Sequence, residues 1–165
     1  MDADFCGLFS TEDAKDPISS KSRTGYVLIL GNCLVSWSSK LQQESCLSTT
    51  EAEYVAMSQA MRELLPLRTL VNLIPECLQV NTKESTVYSK VFEDNKSCIT
   101  VSRAPSMTSR TRHINVKYPI FRFYIGKHKG IEIEHVDNTE QTADMFTKGL
   151  CSKLFTKLRE KLMGR

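Results

Sequence analysis

Nothing in the 165-residue chain reads as a membrane span, because its apolar residues, 41% of the total, never gather into a long run. The start, MDADFCG, lacks a basic flank and an apolar block, which argues against a signal peptide there. No internal repeat and no low-complexity segment is present. The six cysteines (Cys6, Cys33, Cys46, Cys77, Cys98 and Cys151) contain no C-x-x-C pair and no Cys/His ligand spacing. That argues against structural zinc and points to reduced, mostly packing thiols of an intracellular protein. What is left is a chain long enough for one domain with a real core, with charged residues at an ordinary 25%.

One more absence is local. Residues 103–129 contain no acid, but they carry Arg103, Arg110, Arg112, Lys117, Arg122, Lys127 and Lys129. Tyr118, Phe121, Phe123 and Tyr124 are interleaved with these bases. A basic tract of that kind suggests a polyanion partner, with a solvated helix face as an equal alternative. The opposite bias marks the first 20 residues, where Asp2, Asp4, Glu12, Asp13 and Asp16 face Lys15 alone.

The patterning predicts an α/β chain. TGYVLILG, residues 24–31, ends in the hairpin signal Gly31-Asn32, and CLVSWSS, residues 33–39, alternates as its partner strand. DADFCGLF is a short third strand candidate. Residues 48–74 read as a helix that Pro66 kinks or divides. Residues 86–93 read as a strand, followed by a short helix from about Asn95 to Ser102 and a loop at Pro105 and Ser106. Residues 111–125 read as a helix despite Pro119, residues 131–136 as a strand, and the chain from Asn138 onward as a helix broken near Gly149. The order βββ-α-β-α-α-β-α fits an α/β domain with a mixed sheet.

Within LSTTEAEYVAM, Ser48 and Glu51 form a capping box, with Ser48 as N-cap and Glu51 reaching back to it. Glu53 is surplus to that cap. It stacks with Ala56, Met57, Ala60 and Leu64 on the apolar stripe, where a carboxylate is costly unless paired or metal-bound. A buried ion pair is the structural alternative. Asp94, in VFEDNKS, closes a strand where the backbone turns into a helix, with an N-cap as its ordinary role. Asp2 and Asp4 share one face of the first strand. Asp144 lies early in the last helix, beyond a second capping box formed by Asp137 and Glu140. If these surplus acids converge, they make a hard-oxygen site for Mg²⁺ or Mn²⁺. Two such ions would relieve the mutual repulsion and support in-line phosphoryl chemistry.

The segments DADFCG, SRTGYVLILGNCLVSWSSKLQ, LSTTEAEYVAM, FEDNKSCI, SRTRHINVKYPIFR, IEIEHV and TADMFTKGL, in this order, resemble the ribonuclease H domain of copia-type LTR retrotransposon Pol polyproteins, from Asp2 to about Leu150. The resemblance implies a ribonuclease H-like fold over residues 1–150: a five-stranded mixed sheet, its first three strands antiparallel, with helices on both faces. Residues 151–165 would form a basic helical extension. It implies hydrolysis of the RNA strand of RNA–DNA hybrids by Asp2, Glu53, Asp94 and Asp144 holding two Mg²⁺ ions, which Mn²⁺ could replace. Asp4 and Glu51 would be supporting neighbours. Arg110, Arg112, Lys117, Asn95 and Lys96 would contact the nucleic acid. A reverse transcriptase domain upstream in the polyprotein is the implied protein partner. No membrane and no small-molecule cofactor are implied, and the location would be cytoplasmic, in a virus-like particle, or nuclear.

Four departures from the family accompany it. The family's first strand begins several residues before DAD, so Asp2 is expected at a frayed strand end. DADF stands for the commoner DADW, and Pro119 falls in a helical segment. His135 lies within the last strand, where some ribonucleases H place a mobile histidine after it. The competing reading is a truncated or domesticated, catalytically weak nucleic-acid-binding module of the same fold. An integrase-type transferase fits less well, because four acids match here where that class uses three.

Overall fold

The computed structural model describes residues 1–9, 16–79, 87–104, 123–126 and 130–164. Strands β2 (Arg23–Leu30) and β3 (Cys33–Leu41) form the expected hairpin, with Val27 opposite Trp37 and Leu30 opposite Cys33. Its turn residues Gly31 and Asn32 both adopt positive φ, 55° and 65°, the conformation a two-residue hairpin turn demands. Strand β1 (Asp2–Asp4) lies antiparallel to β2, with Asp2 opposite Gly25. Strands β4 (Ser89–Glu93) and β5 (Ile131–His135) pair in parallel, Ser89 with Ile131 and Glu93 with His135.

The five expected strands are present, and their ladders divide between two sheets. The five strands form a three-stranded sheet and a separate two-stranded one. The seam is held by the Met1 amino group donating to the Phe92 carbonyl (3.2 Å) and by the buried Gln141 amide. Gln141 donates to Met1 O (2.9 Å) and Phe92 O (3.5 Å). Beside this seam lies a cavity of about 450 Å³, lined by Leu28, Leu30, Met61, Leu64 and Val91 among others.

Helix α1 (Thr49–Cys77) begins where the capping box places it. The Glu51 N–H donates to Ser48 Oγ (3.1 Å), and Glu51 Oε2 accepts from the Leu47 N–H (2.8 Å), one residue earlier than the cap itself. Ala52, Tyr54, Val55, Ala56, Met57, Ala60 and Met61 bury the first half of α1 in the core. The helix is not divided at Pro66; both Pro66 and Pro75 lie inside it. Each proline removes one backbone bond, and the turns on either side keep theirs.

Helix α2 (Lys96–Arg103) is capped by Asn95, whose Oδ1 accepts from the Cys98 N–H (3.0 Å). The helix expected over residues 111–125 falls mostly outside the described residues; of its described end, Phe123 is 3₁₀ and Ile125, with the following Gly126, bridges to Ile131. The helix expected from Asn138 is replaced by two short 3₁₀ turns, Asn138–Glu140 and Thr142–Phe146, before helix α3 (Ser152–Met163). Only half of the second capping box forms. Asp137 Oδ1 accepts from the Thr139 N–H (2.9 Å), while Glu140 turns to Lys157 and to Lys161 (3.0 Å) of α3. Helix α3 is anchored by Leu158 and Leu162, both buried.

Gly25 fixes where the second 3₁₀ turn sits. A Cβ there would lie 2.6 Å from Thr147 Cγ2 and 3.0 Å from both Ala143 O and Phe146 Cβ. Gly25→Ala is therefore expected to destabilise the chain by about 1–3 kcal/mol, the usual scale of overpacking. Gly149→Ala, with nothing within 4 Å of the added Cβ, is the neutral control. Urea unfolding of the two variants checks this, and equal midpoints would contradict it.

Candidate metal centre

Each of the four expected acids reaches one of two adjoining carboxylate groups by its own local logic. Asp2 sits on β1 and is fully buried, not frayed as expected. Its Oδ2 accepts from the Thr147 hydroxyl and its Oδ1 from Lys148 Nζ (3.0 Å), while Met1 is pinned to Phe92. Glu53 lies on the inward stripe of α1, freed from capping because Ser48 and Glu51 complete that role. Asp94 follows β4 directly, and it too is freed from capping because Asn95 is the cap. Asp144 lies in the second 3₁₀ turn, not in the last helix, and is 4% exposed.

Oxygens of Asp2, Asp94 and Asp144 lie within 4.8 Å of one another, and so do oxygens of Glu53, Glu93 and Asp94. All four expected acids therefore converge, with Asp94 common to both groups. Glu93 is a fifth, which the sequence reading missed. The signal was available in SKVFE: Ser89, Val91 and Glu93 alternate onto the buried face of β4, with Glu93 fully buried. Asp4 is only partly buried and belongs to neither group.

The electrostatics follow from burial and crowding. Burial, reinforced by the charges of Glu93, Asp2 and Asp94, pushes the Glu53 carboxyl up to about 10. Burial pushes Glu93 up to about 8, although its Oε1 accepts from the Asn95 N–H (3.0 Å). Burial and the Asp2 charge raise Asp144 to about 6 and also raise Asp94. Lys148 works against them. Burial pulls its ammonium down, but Asp2 and Asp144 outweigh that and hold it above the ordinary lysine range. Its Nζ lies 3.2 Å from Asp144 Oδ1. Glu53 Oε2 and Glu93 Oε2 are buried without a hydrogen-bond partner. An all-carboxylate donor set with two bare buried oxygens fits a hard divalent cation such as Mg²⁺ or Mn²⁺.

The expected nucleic-acid contacts divide. Arg110, Arg112 and Lys117 lie outside the described residues. Asn95 commits its side-chain oxygen to capping α2, whereas Lys96 is exposed two residues from Asp94. His135 ends β5 in an exposed position, in register with Glu93. Arg103, from the basic tract, donates to the Ile133 carbonyl.

No protein-family model and no solved structure matches the chain. Known proteins do. The retrovirus-related Pol polyprotein from transposon TNT 1-94 of Nicotiana tabacum is 33% identical over 142 residues, 86% of this chain. Those from transposons RE1 and RE2 of Arabidopsis thaliana are 29% and 30% identical over 161 residues, 98% of this chain. The chain spans about 10% of the length of each of these relatives. Most of this chain is thus homologous to one segment of the retrovirus-related Pol polyproteins of copia-type transposons, and it belongs to that family.

Proposed function

We propose that this chain is a metal-dependent endoribonuclease that hydrolyses the RNA strand of RNA–DNA hybrids, the ribonuclease H segment of a retrotransposon Pol polyprotein. The observation that carries this reading is the meeting of Asp2, Glu53, Asp94 and Asp144, from four separate segments, around Asp94. On this reading the two sheets are parts of one ribonuclease H-like sheet in which β1 adjoins β4, and the Met1–Phe92 bond at the seam supports that order.

Bound at the site, two Mg²⁺ or Mn²⁺ ions would supply a water of lowered pKa and charge stabilisation at the departing 3′ oxygen. The chain's own part is positional. Asp94 belongs to both carboxylate groups and so fixes their separation. Thr147 holds Asp2 by its hydroxyl, which sets the direction of the remaining Asp2 oxygen. Lys96, exposed beside Asp94, is suited to a backbone phosphate, as are Arg110, Arg112 and Lys117 in the acid-free tract. Such contacts position the duplex without reading its sequence. A reverse transcriptase domain as upstream partner and a location in a cytoplasmic particle or nucleus belong to the same proposal.

One observation favours the weaker module instead: Lys148 already neutralises Asp2 and Asp144 from within. The two readings separate on a labelled hybrid with Mg²⁺. Asp94→Asn is expected to cut cleavage by about 100-fold or more, the scale of losing one preorganised electrostatic group, while hybrid binding persists. Binding by the wild type with no metal-dependent cleavage would favour the module.

The raised carboxyls also predict a pH dependence. Glu53, Glu93 and Asp144 are held at about 10, 8 and 6, above the ordinary carboxylate range. Above that range the folded chain keeps protons that the unfolded chain has released, so stability falls as pH rises toward the folded values. The metal-free chain is expected to melt at steadily lower temperature from about pH 5 to about pH 9, and Mn²⁺ should offset the loss most at the alkaline end. Melting curves in chelator and in Mn²⁺ measure this; a profile flat with pH in chelator would contradict it.

A further inference from the structure

The two carboxylate groups are not equivalent. In the group of Asp2, Asp94 and Asp144, the Lys148 ammonium stands between two of the acids, at 3.0 Å from Asp2 Oδ1 and 3.2 Å from Asp144 Oδ1. Thr147 satisfies the other Asp2 oxygen. In the group of Glu53, Glu93 and Asp94, no described side-chain cation is paired with any member.

Glu93 is the anomaly. It occupies an inward position of β4, two residues from Val91, where burial would ordinarily select an apolar side chain. It is 0% exposed; its Oε1 accepts from the Asn95 N–H, and its Oε2 has no partner. Glu53, at 6% exposed, also carries a bare Oε2. If Glu93 only shaped the turn before α2, one oxygen would suffice and a glutamine would serve as well. Two bare buried oxygens within one carboxylate group are destabilising unless something partners them.

We propose that Glu93 is a fifth ligand of the metal centre, and that the Glu53–Glu93–Asp94 group takes up a divalent cation before the Asp2–Asp94–Asp144 group, where Lys148 must first be displaced. This rests on the metal-centre reading above. The first ion meets three carboxylates, none of them ion-paired with a described lysine or arginine. The second meets carboxylates already neutralised by a tethered cation.

Manganese binding to the full metal-free chain, followed at alkaline pH by titration calorimetry and by the electron paramagnetic resonance of free Mn²⁺, tests this. The wild type should show a tighter and a weaker site. Glu93→Gln, which keeps an acceptor for the Asn95 N–H, should weaken the tighter site by at least about tenfold and spare the weaker one. Lys148→Met should tighten the weaker site several-fold and leave the other unchanged. Glu53→Gln should lose the same site as Glu93→Gln, and this covers the case in which one variant fails to fold. Melting curves in chelator separate ligation from a structural role: Glu93→Gln should be at least as stable as wild type without metal and should lose most of the stabilisation by Mn²⁺. Wild-type affinities in Glu93→Gln, or a Glu93→Gln variant less stable than wild type in chelator, would overturn the assignment and leave the metal reading standing. Absence of any Mn²⁺ binding by the wild type would overturn both.

Discussion

Carboxylates repel one another at short range, and burial removes the water that would screen them. Five of them, Asp94 among them, impose that cost on every element that meets there: β1, the second turn of α1, the end of β4 and the 3₁₀ turn that carries Asp144. The surrounding structure answers it in local ways. Gln141 ties Met1 to Phe92, the Thr147 hydroxyl and the Lys148 ammonium hold Asp2, and the Asn95 N–H takes one oxygen of Glu93. Two oxygens, on Glu53 and Glu93, have no such answer. A cation is the physically simplest partner for them.

The same constraint explains where the fold is tight. Gly25 lies opposite Asp2 on β2, and its missing side chain lets Thr147, Ala143 and Phe146 close over the acids. Asp144 and Lys148 are thereby fixed within one short segment, four residues apart. Among the described residues, the Met1 amino group and the Gln141 amide supply the hydrogen bonds across the seam between the two sheets, beside the cavity. The site is assembled across this seam, since Asp2 comes from one sheet and Glu93 and Asp94 from the other.

Much of the site was legible in the residues alone. Ser48 and Glu51 complete a cap, so Glu53 was visibly surplus, and its inward face followed from helical spacing. The hairpin at Gly31-Asn32 was readable because that turn demands positive φ. Glu93 escaped because the family motif marks Asp94 in this segment, although alternation with Ser89 and Val91 already turns Glu93 inward. The 3₁₀ turn carrying Asp144 was read as helix because Glu140 looked like a capping residue; Lys157 and Lys161, some 20 residues on, draw it away. The division of the strands between two ladders was not legible, because strand propensity does not fix which strands pair.

The most direct measurement is anomalous diffraction from crystals of the full chain soaked in Mn²⁺. The account predicts two anomalous peaks about 3.5–4 Å apart, the separation of paired catalytic ions. One should be ligated by Glu53, Glu93 and Asp94, the other by Asp2, Asp94 and Asp144, with Lys148 moved aside. Crystals without anomalous density among these acids, with Lys148 still seated between Asp2 and Asp144, would contradict it.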